Sequence, residues 1–177
     1  IFYFETKSPI YAILMSTCSI FAIFNVISGR LFLGDAGAYG LGSVLVLNGL
    51  YLYSEGIFSA PFLAVLFSYP CIDILASVFR RIKNGRSIFL ADNDHLHNRI
   101  HFHCKRYLHS KTLANSLTGI LILAFSSGIA LLGFMEDWWQ VTSQEWIWIF
   151  ICQCIIYCIA FIITGINRPS SQYVVEL

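Results

Sequence analysis

Residues 146–166 read WIWIFICQCIIYCIAFIITGI, a run of twenty-one positions without Asp, Glu, Lys or Arg. About 20 apolar residues in a helix cross the roughly 30 Å hydrocarbon core of a bilayer. Only helices and closed barrels can do so, because every backbone N–H and C=O in lipid must be paired within the structure. The run predicts a transmembrane helix, and the composition around it agrees. Of 177 residues, 57% are hydrophobic and 12% charged, with mean hydropathy +0.69, where soluble domains carry about 25% charged residues. So few charges cannot clothe a water-soluble core of this length.

Working outward, four further apolar stretches follow the same pattern: Tyr11–Gly29, Ala38–Tyr53, Ile57–Phe79 and Leu113–Met135. The fold expected is all-α, a polytopic transmembrane helix bundle of about five spans with one long, His- and Arg-rich cytoplasmic loop. It forms a single integral membrane domain over 1–177, without internal repeats. The second span is short and glycine-rich, while the third carries Pro61, Pro70 and Asp73. Each proline removes a helix donor and crowds the preceding turn, which predicts a broken or kinked third span. The chain opens on Ile1 with neither a basic n-region nor a cleavage site, so it reads as the C-terminal fragment of a larger protein. Five of the six cysteines lie in apolar runs and read as buried packing thiols; Cys152, Cys154 and Cys158 in one spanning helix do not converge on a polar zinc pocket.

The charges set the orientation. Net charge is +1, which makes no case for nucleic acid. Yet ten of the eleven Lys and Arg fall on one predicted face: Arg30, the run from Arg80 to Lys111, and Arg168. By the positive-inside rule that face is cytoplasmic. The opposite loops, YSEG at 53–56 and MEDWWQVTSQEW at 135–146, hold acids and tryptophans but no Lys or Arg. Five spans then place Ile1 outside and the C-terminus in the cytoplasm.

Two clusters on that face carry chemistry. All five histidines, His95, His97, His101, His103 and His109, lie between Arg80 and Lys111, with Asp92 and Asp94. A basic loop needs no more explanation than topology and lipid headgroups, but neither of these needs carboxylates and imidazoles gathered together. The second cluster is FLGDAGAYGLG at 32–42, where Asp35 sits between Gly34 and Gly37. Asp35 reads either as a ligand for Mg²⁺, which favours one or two carboxylates plus phosphate oxygens and waters, or as a helix N-cap.

FLGDAGAYGLG, followed by PCIDILASVFRRIKNGRSIFLADNDHLHNRI at 70–100, resembles the polyprenyl-phosphate N-acetylhexosamine-1-phosphate transferases. The closer branch looks like that of the bacterial undecaprenyl-phosphate GlcNAc-1-phosphate transferases that initiate O-antigen, common-antigen or teichoic acid synthesis. The resemblance spans about Tyr11 to Ile166 and implies the C-terminal half of such an enzyme in the bacterial inner membrane. The implied reaction moves an N-acetylhexosamine-1-phosphate from a UDP-sugar to polyprenyl phosphate, with release of UMP and dependence on Mg²⁺, Mn²⁺ being the alternative. It further implies Asp35 as metal ligand and catalytic residue beside His95 and His97, with Gly34, Gly37, Arg81, Asp92 and Asn98 binding substrate. The chain departs from the family pattern at Ala38, Ile88, Asn93 and Asn98. Asn98 replaces a final histidine and cannot carry charge. The fragment alone is expected to be inactive, and a homo-oligomer is compatible with the sequence. Two alternatives compete with the enzyme: a transporter or channel handling a metal ion or proton through Asp73 and a zinc-binding His101, His103 and Cys104, and a non-catalytic scaffold descended from the enzyme.

Overall fold

The computed structural model describes residues 1–28, 33–85, 87–89 and 94–166. Among them the architecture is all-α: α1 Phe2–Thr6, α2 Pro9–Ser28, α3 Gly34–Ser54, α4 Ala60–Leu66, α5 Ser68–Lys83, α6 Leu96–Tyr107, α7 Lys111–Leu123, a π-helical turn at Ala124–Gly128, α8 Ile129–Met135 and α9 Trp146–Ile166. The π turn makes α7 and α8 one continuous 25-residue stretch, Lys111–Met135.

Among the described residues three stretches are long and apolar enough to cross a membrane, Pro9–Ser28, Lys111–Met135 and Trp146–Gly165, and the bent pair α4–α5, counted as one span, makes a fourth. Three to four of the about five expected spans are thus found among the described residues. The difference lies in α3, which at 21 residues is long enough, but its glycines at 34, 37, 40, 42 and 49, with Asp35 and Asn48, dilute its apolar character. Near its end α3 still meets the start of α2, where Tyr11 Oη donates to Asn48 Oδ1 at 2.9 Å.

The third predicted span is broken, as its prolines suggested, but not at a proline. Pro61 and Pro70 sit in the first turns of α4 and α5, where a helix has no intrahelical partner for an N–H in any case. The chain bends by 81° between them, at Phe67. The π turn of the neighbouring helix satisfies the opened backbone. Ser126 Oγ donates to Leu66 O at 3.2 Å and accepts from Tyr69 N at 3.3 Å and Ser68 Oγ at 3.2 Å, so its one donor and two acceptor positions are all used. Gln153 Nε2 of α9 donates to Phe125 O, inside the turn, at 2.8 Å. A bend among apolar helices survives only with such replacements.

The bundle has two unlike ends. At one, Tyr11, Leu52, Phe58, Phe62, Val65 and Trp146 form the main apolar cluster. There Ser59 ties the entry of α4 to the loop before α9, with its N–H on Val141 O and its Oγ on Ser143 O. At the other end, Ser116 Oγ of α7 donates to Val26 O near the end of α2 at 2.8 Å, and α6 packs on α7 and α9 around Ile72, Leu96 and Tyr157. Because α3 begins soon after α2 ends, Asp35 and the histidine segment belong to the same end, as the charge pattern required.

One sequence expectation is corrected. None of the cysteines is buried: Cys71, Cys152 and Cys158 are exposed, and Cys18, Cys104 and Cys154 are half-buried. In a bundle whose outer surface is itself apolar, a thiol acts as a small hydrophobe and faces outward at no cost.

Candidate active site

On α5, Tyr69, Asp73, Ser77 and Arg80 recur at steps of four, four and three and so share one helix face. The opposite face carries Ile74, Leu75, Phe79 and Ile82, all exposed. The polar side of this helix is the one that packs inward. A carboxylate buried there is costly unless donors surround it, and Asp73, with a side chain 7% exposed, has three. His95 Nδ1 lies 2.6 Å from Oδ2, while Tyr157 Oη of α9 at 2.6 Å and the Leu96 backbone N–H at 3.1 Å both donate to Oδ1. The last bond caps α6 from outside its own chain segment. His95, the residue at the N-cap position, makes no side-chain cap of its own, so Asp73 does what a local Ser or Asp does elsewhere.

His97, the second residue of α6, is held by Tyr69. The Tyr69 hydroxyl is 2.8 Å from His97 Nδ1 and accepts the His97 backbone N–H at 3.2 Å. The rings of His95 and His97 stack with centroids 5.5 Å apart and planes 11° apart. Desolvation by the surrounding protein, reinforced by His95, lowers the pKa of His97 below the ordinary imidazole value. His97 and Tyr69 line a cleft of about 340 Å³ whose other wall is Asn25 and Val26 of α2 with Asn115, Ser116 and Thr118 of α7.

Arg99 fixes the far side of α6. Its Nε and Nη2 grip Asp94 at 2.8 and 2.6 Å, its Nη1 donates to Phe161 O at 2.6 Å, and the guanidinium lies 3.5 Å from the centroid of the Phe161 ring. Such a planar fork is the geometry that arginine, not lysine, supplies. His103 Nε2 lies 3.1 Å from Thr164 O in the last turn of α9, where helix carbonyls lack partners. Gly165 is required by this clamp, since a Cβ there would stand 2.5 Å from Arg99 Nη1.

The remaining candidates are placed as follows. Asp35 is exposed in the first turn of α3, whose N-cap is Leu33 rather than Asp35; its carboxylate is not spent on a cap. Gly34 has φ +67°, which a side chain would strain, and a Cβ at Gly37 would meet Leu33 Cγ at 2.8 Å. Arg81 hydrogen-bonds through Nη1 to Ile88 O, so it braces the segment after α5. Asn98 is half-buried on α6. Asp92 lies outside the described residues. Among the described residues no three His, Cys, Asp or Glu side chains converge as metal ligands, so the zinc arrangement of His101, His103 and Cys104 does not form there. Tyr69 and Tyr157 were not among the residues singled out for a site, and Asp73 was singled out only for the transporter alternative. The signal for Asp73 was an acid at the foot of a broken span; Tyr157 had none beyond a hydroxyl in an apolar run.

No family model matches the chain, and no solved structure does. Curated relatives exist. The chain is 34% identical over 83 residues, 45% of its length, to a probable undecaprenyl-phosphate N-acetylglucosaminyl 1-phosphate transferase of Bacillus subtilis (strain 168). It is 31% identical over 111 residues, 55% of its length, to the decaprenyl-phosphate N-acetylglucosaminephosphotransferase of Mycobacterium leprae. A Mycobacterium tuberculosis protein of the same name is 31% identical over 105 residues, 51% of this chain. The matches span 23%, 28% and 26% of those relatives, about a quarter of each. These relatives agree with the family resemblance that the motifs carry.

Proposed function

We propose that this chain supplies the histidine-loop part of a membrane enzyme that transfers N-acetylhexosamine-1-phosphate from a UDP-sugar to polyprenyl phosphate on the cytoplasmic face. The observation that carries the reading is the stacked His95–His97 pair, in which His95 is anchored on the buried Asp73 and His97 lines a cleft, at the end of the bundle that also bears Asp35. Relatives named for this phosphotransfer support it, and the excess of Lys and Arg at that end supports the cytoplasmic assignment.

The chemistry asked of the protein is limited. An oxygen of the lipid phosphate bonds to the sugar-linked phosphorus, the bridge to the second phosphate breaks, and UMP leaves. Bringing anions together in this way calls for positioning and charge neutralisation more than covalent chemistry. His95 and His97 would contact phosphate oxygens or hold a proton beside them, and Asn25, Asn115 and Ser116 give the cleft further polar groups. Asp35 suits Mg²⁺, or Mn²⁺ in its place, because it offers an exposed hard oxygen that no cap uses. The ion, when bound, neutralises charge on the reacting phosphates. In this setting Asp73 is a structural anchor rather than an ion pathway, since three donors already occupy it.

The test is transfer of isotope-labelled sugar phosphate from UDP-N-acetylglucosamine to undecaprenyl phosphate by the full-length protein. The reading expects a labelled lipid product that His95→Ala strongly reduces. Intact, lipid-reconstituted protein with no transfer from any UDP-N-acetylhexosamine would refute it.

A further inference from the structure

The hydrogen bonds around the two imidazoles are not equivalent. Ionised Asp73 can only accept, so His95 Nδ1 must carry a proton to satisfy the 2.6 Å contact with Oδ2. In a neutral ring that leaves Nε2 with a lone pair. Tyr69 reverses the logic. Its hydroxyl already accepts the His97 backbone N–H, so its own proton is free to go to His97 Nδ1, 2.8 Å away. Nδ1 of His97 is then the acceptor, and its Nε2 carries the proton. Neither Nε2 is bonded to another described residue.

We propose that Asp73 and Tyr69 are positioning residues that lock His95 and His97 in opposite tautomers, so that the stacked pair presents one bare ring nitrogen and one N–H side by side. This rests on the reading of the pair as part of a phosphotransfer site. The ligand class it suits is a phosphate monoester bearing one proton: His97 Nε2–H donates to a phosphate oxygen while His95 Nε2 accepts the P–OH proton. Two histidines in the same tautomer would offer two donors or two acceptors and match only one half of that group. The lowered pKa of His97 favours its neutral form and supports the arrangement. For His95 the case is sharper, because the Nδ1–H form is the minor tautomer of free histidine and needs a fixed acceptor to hold it.

Asp73→Asn makes a specific prediction. Oδ1 receives two donors, the Leu96 N–H and the Tyr157 O–H, so the amide oxygen stays there and the NH₂ group takes the place of Oδ2. It then presents a donor to His95 Nδ1, and the ring must turn over to its Nε2–H tautomer. The same substitution in a Ser-His-Asp triad acts through such a wrong tautomer.

The experiment is ¹⁵N NMR of the histidine rings in full-length protein in lipid nanodiscs near pH 7.5, with His95→Gln and His97→Gln used for assignment. In the native protein, His95 should be protonated on Nδ1 and His97 on Nε2. Asp73→Asn should move the His95 proton to Nε2 without changing His97, and should lower kcat at least about a hundredfold with KM changed less than about threefold. Tyr69→Phe should leave His95 unchanged and release His97 into a mixture of tautomers. Native His95 found as Nε2–H or as imidazolium would overturn the proposal, whether or not Asp73→Asn folds, and so would Asp73→Asn protein that keeps the Nδ1 proton. If the tautomers behave as stated but the native protein transfers no sugar phosphate, the positioning inference stands and the functional reading alone fails.

Discussion

The two ends of the bundle are held together by different physics. At the aromatic end Trp146 and Phe62 are fully buried, with rings 4.9 Å apart and edge-on at 74°, and Phe58 packs 5.2 Å from Phe62. Many small contacts share the load, and the Trp146 indole N–H is satisfied by Gln140 O at 3.0 Å. At the histidine end, order converges on one carboxylate, Asp73, and one guanidinium, Arg99. A packed cluster loses stability in proportion to what is removed, whereas a satisfied polar hub fails as a unit when one partner goes. The first suits a fixed anchor. The second suits a site in which each donor and acceptor has to face the right way.

Substitutions that break one end while sparing the other sharpen this contrast. The largest effect is expected from Asp35→Asn, which keeps volume and hydrogen bonding but removes the charge a hard cation needs. On the proposed metal-dependent reaction, transfer by the full-length protein should fall at least about a thousandfold, ~4 kcal/mol of transition-state stabilisation, with membrane insertion and thermal unfolding unchanged. Trp146→Ala should do the reverse. Loss of this buried ring is expected to cost about 3–5 kcal/mol of stability in an unfolding assay, while protein still folded at low temperature turns over at close to the native rate.

Within the histidine end, the effects should divide by position along α6. His95→Ala and His97→Ala are each expected to lower turnover at least about tenfold, ~1.4 kcal/mol. His101→Ala and His103→Ala should stay within a few-fold, and His103→Ala should also lose about 1 kcal/mol of stability with its bond to Thr164 O. Equal kinetic losses at all four positions, with stoichiometric zinc in the purified protein, would favour the metal-binding alternative. The smallest effect concerns pH. The pKa of His97 is lowered by desolvation and by His95, so it should titrate by NMR below the ordinary value of about 6.5. The unfolded chain takes up that proton more readily. The contribution of His97 to stability is therefore complete above about pH 6.5 and is lost as pH falls through the folded pKa.

The sequence carried the fold class and the shared end of the two motifs, because hydropathy and the distribution of Lys and Arg are properties of single residues summed over long windows. It also foretold a break in the third span, but not its position. Pro61 and Pro70 drew attention to themselves, yet both occupy harmless first-turn positions, and the bend at Phe67 depends on Ser126, nearly sixty residues away. The same limit applied at the site. His95 and His97 stood out by composition, whereas their orienters Asp73, Tyr69 and Tyr157 come from two other helices and are joined only by tertiary structure. Asp94 is the partner of Arg99, while Asp73 takes the capping role at α6.

The measurement that bears most directly on the assignment of the two ends to the two sides of the membrane is side-specific cysteine labelling of the full-length protein. Its native cysteines would be replaced, with single cysteines introduced at Ala36, Ser87, Glu55 or Asp137. A membrane-impermeant maleimide should label positions 36 and 87 only in inside-out vesicles, and positions 55 and 137 only in intact cells. Labelling of 36 and 87 from opposite sides, or of both from outside, would contradict the account of a single cytoplasmic site shared by Asp35 and the histidine pair.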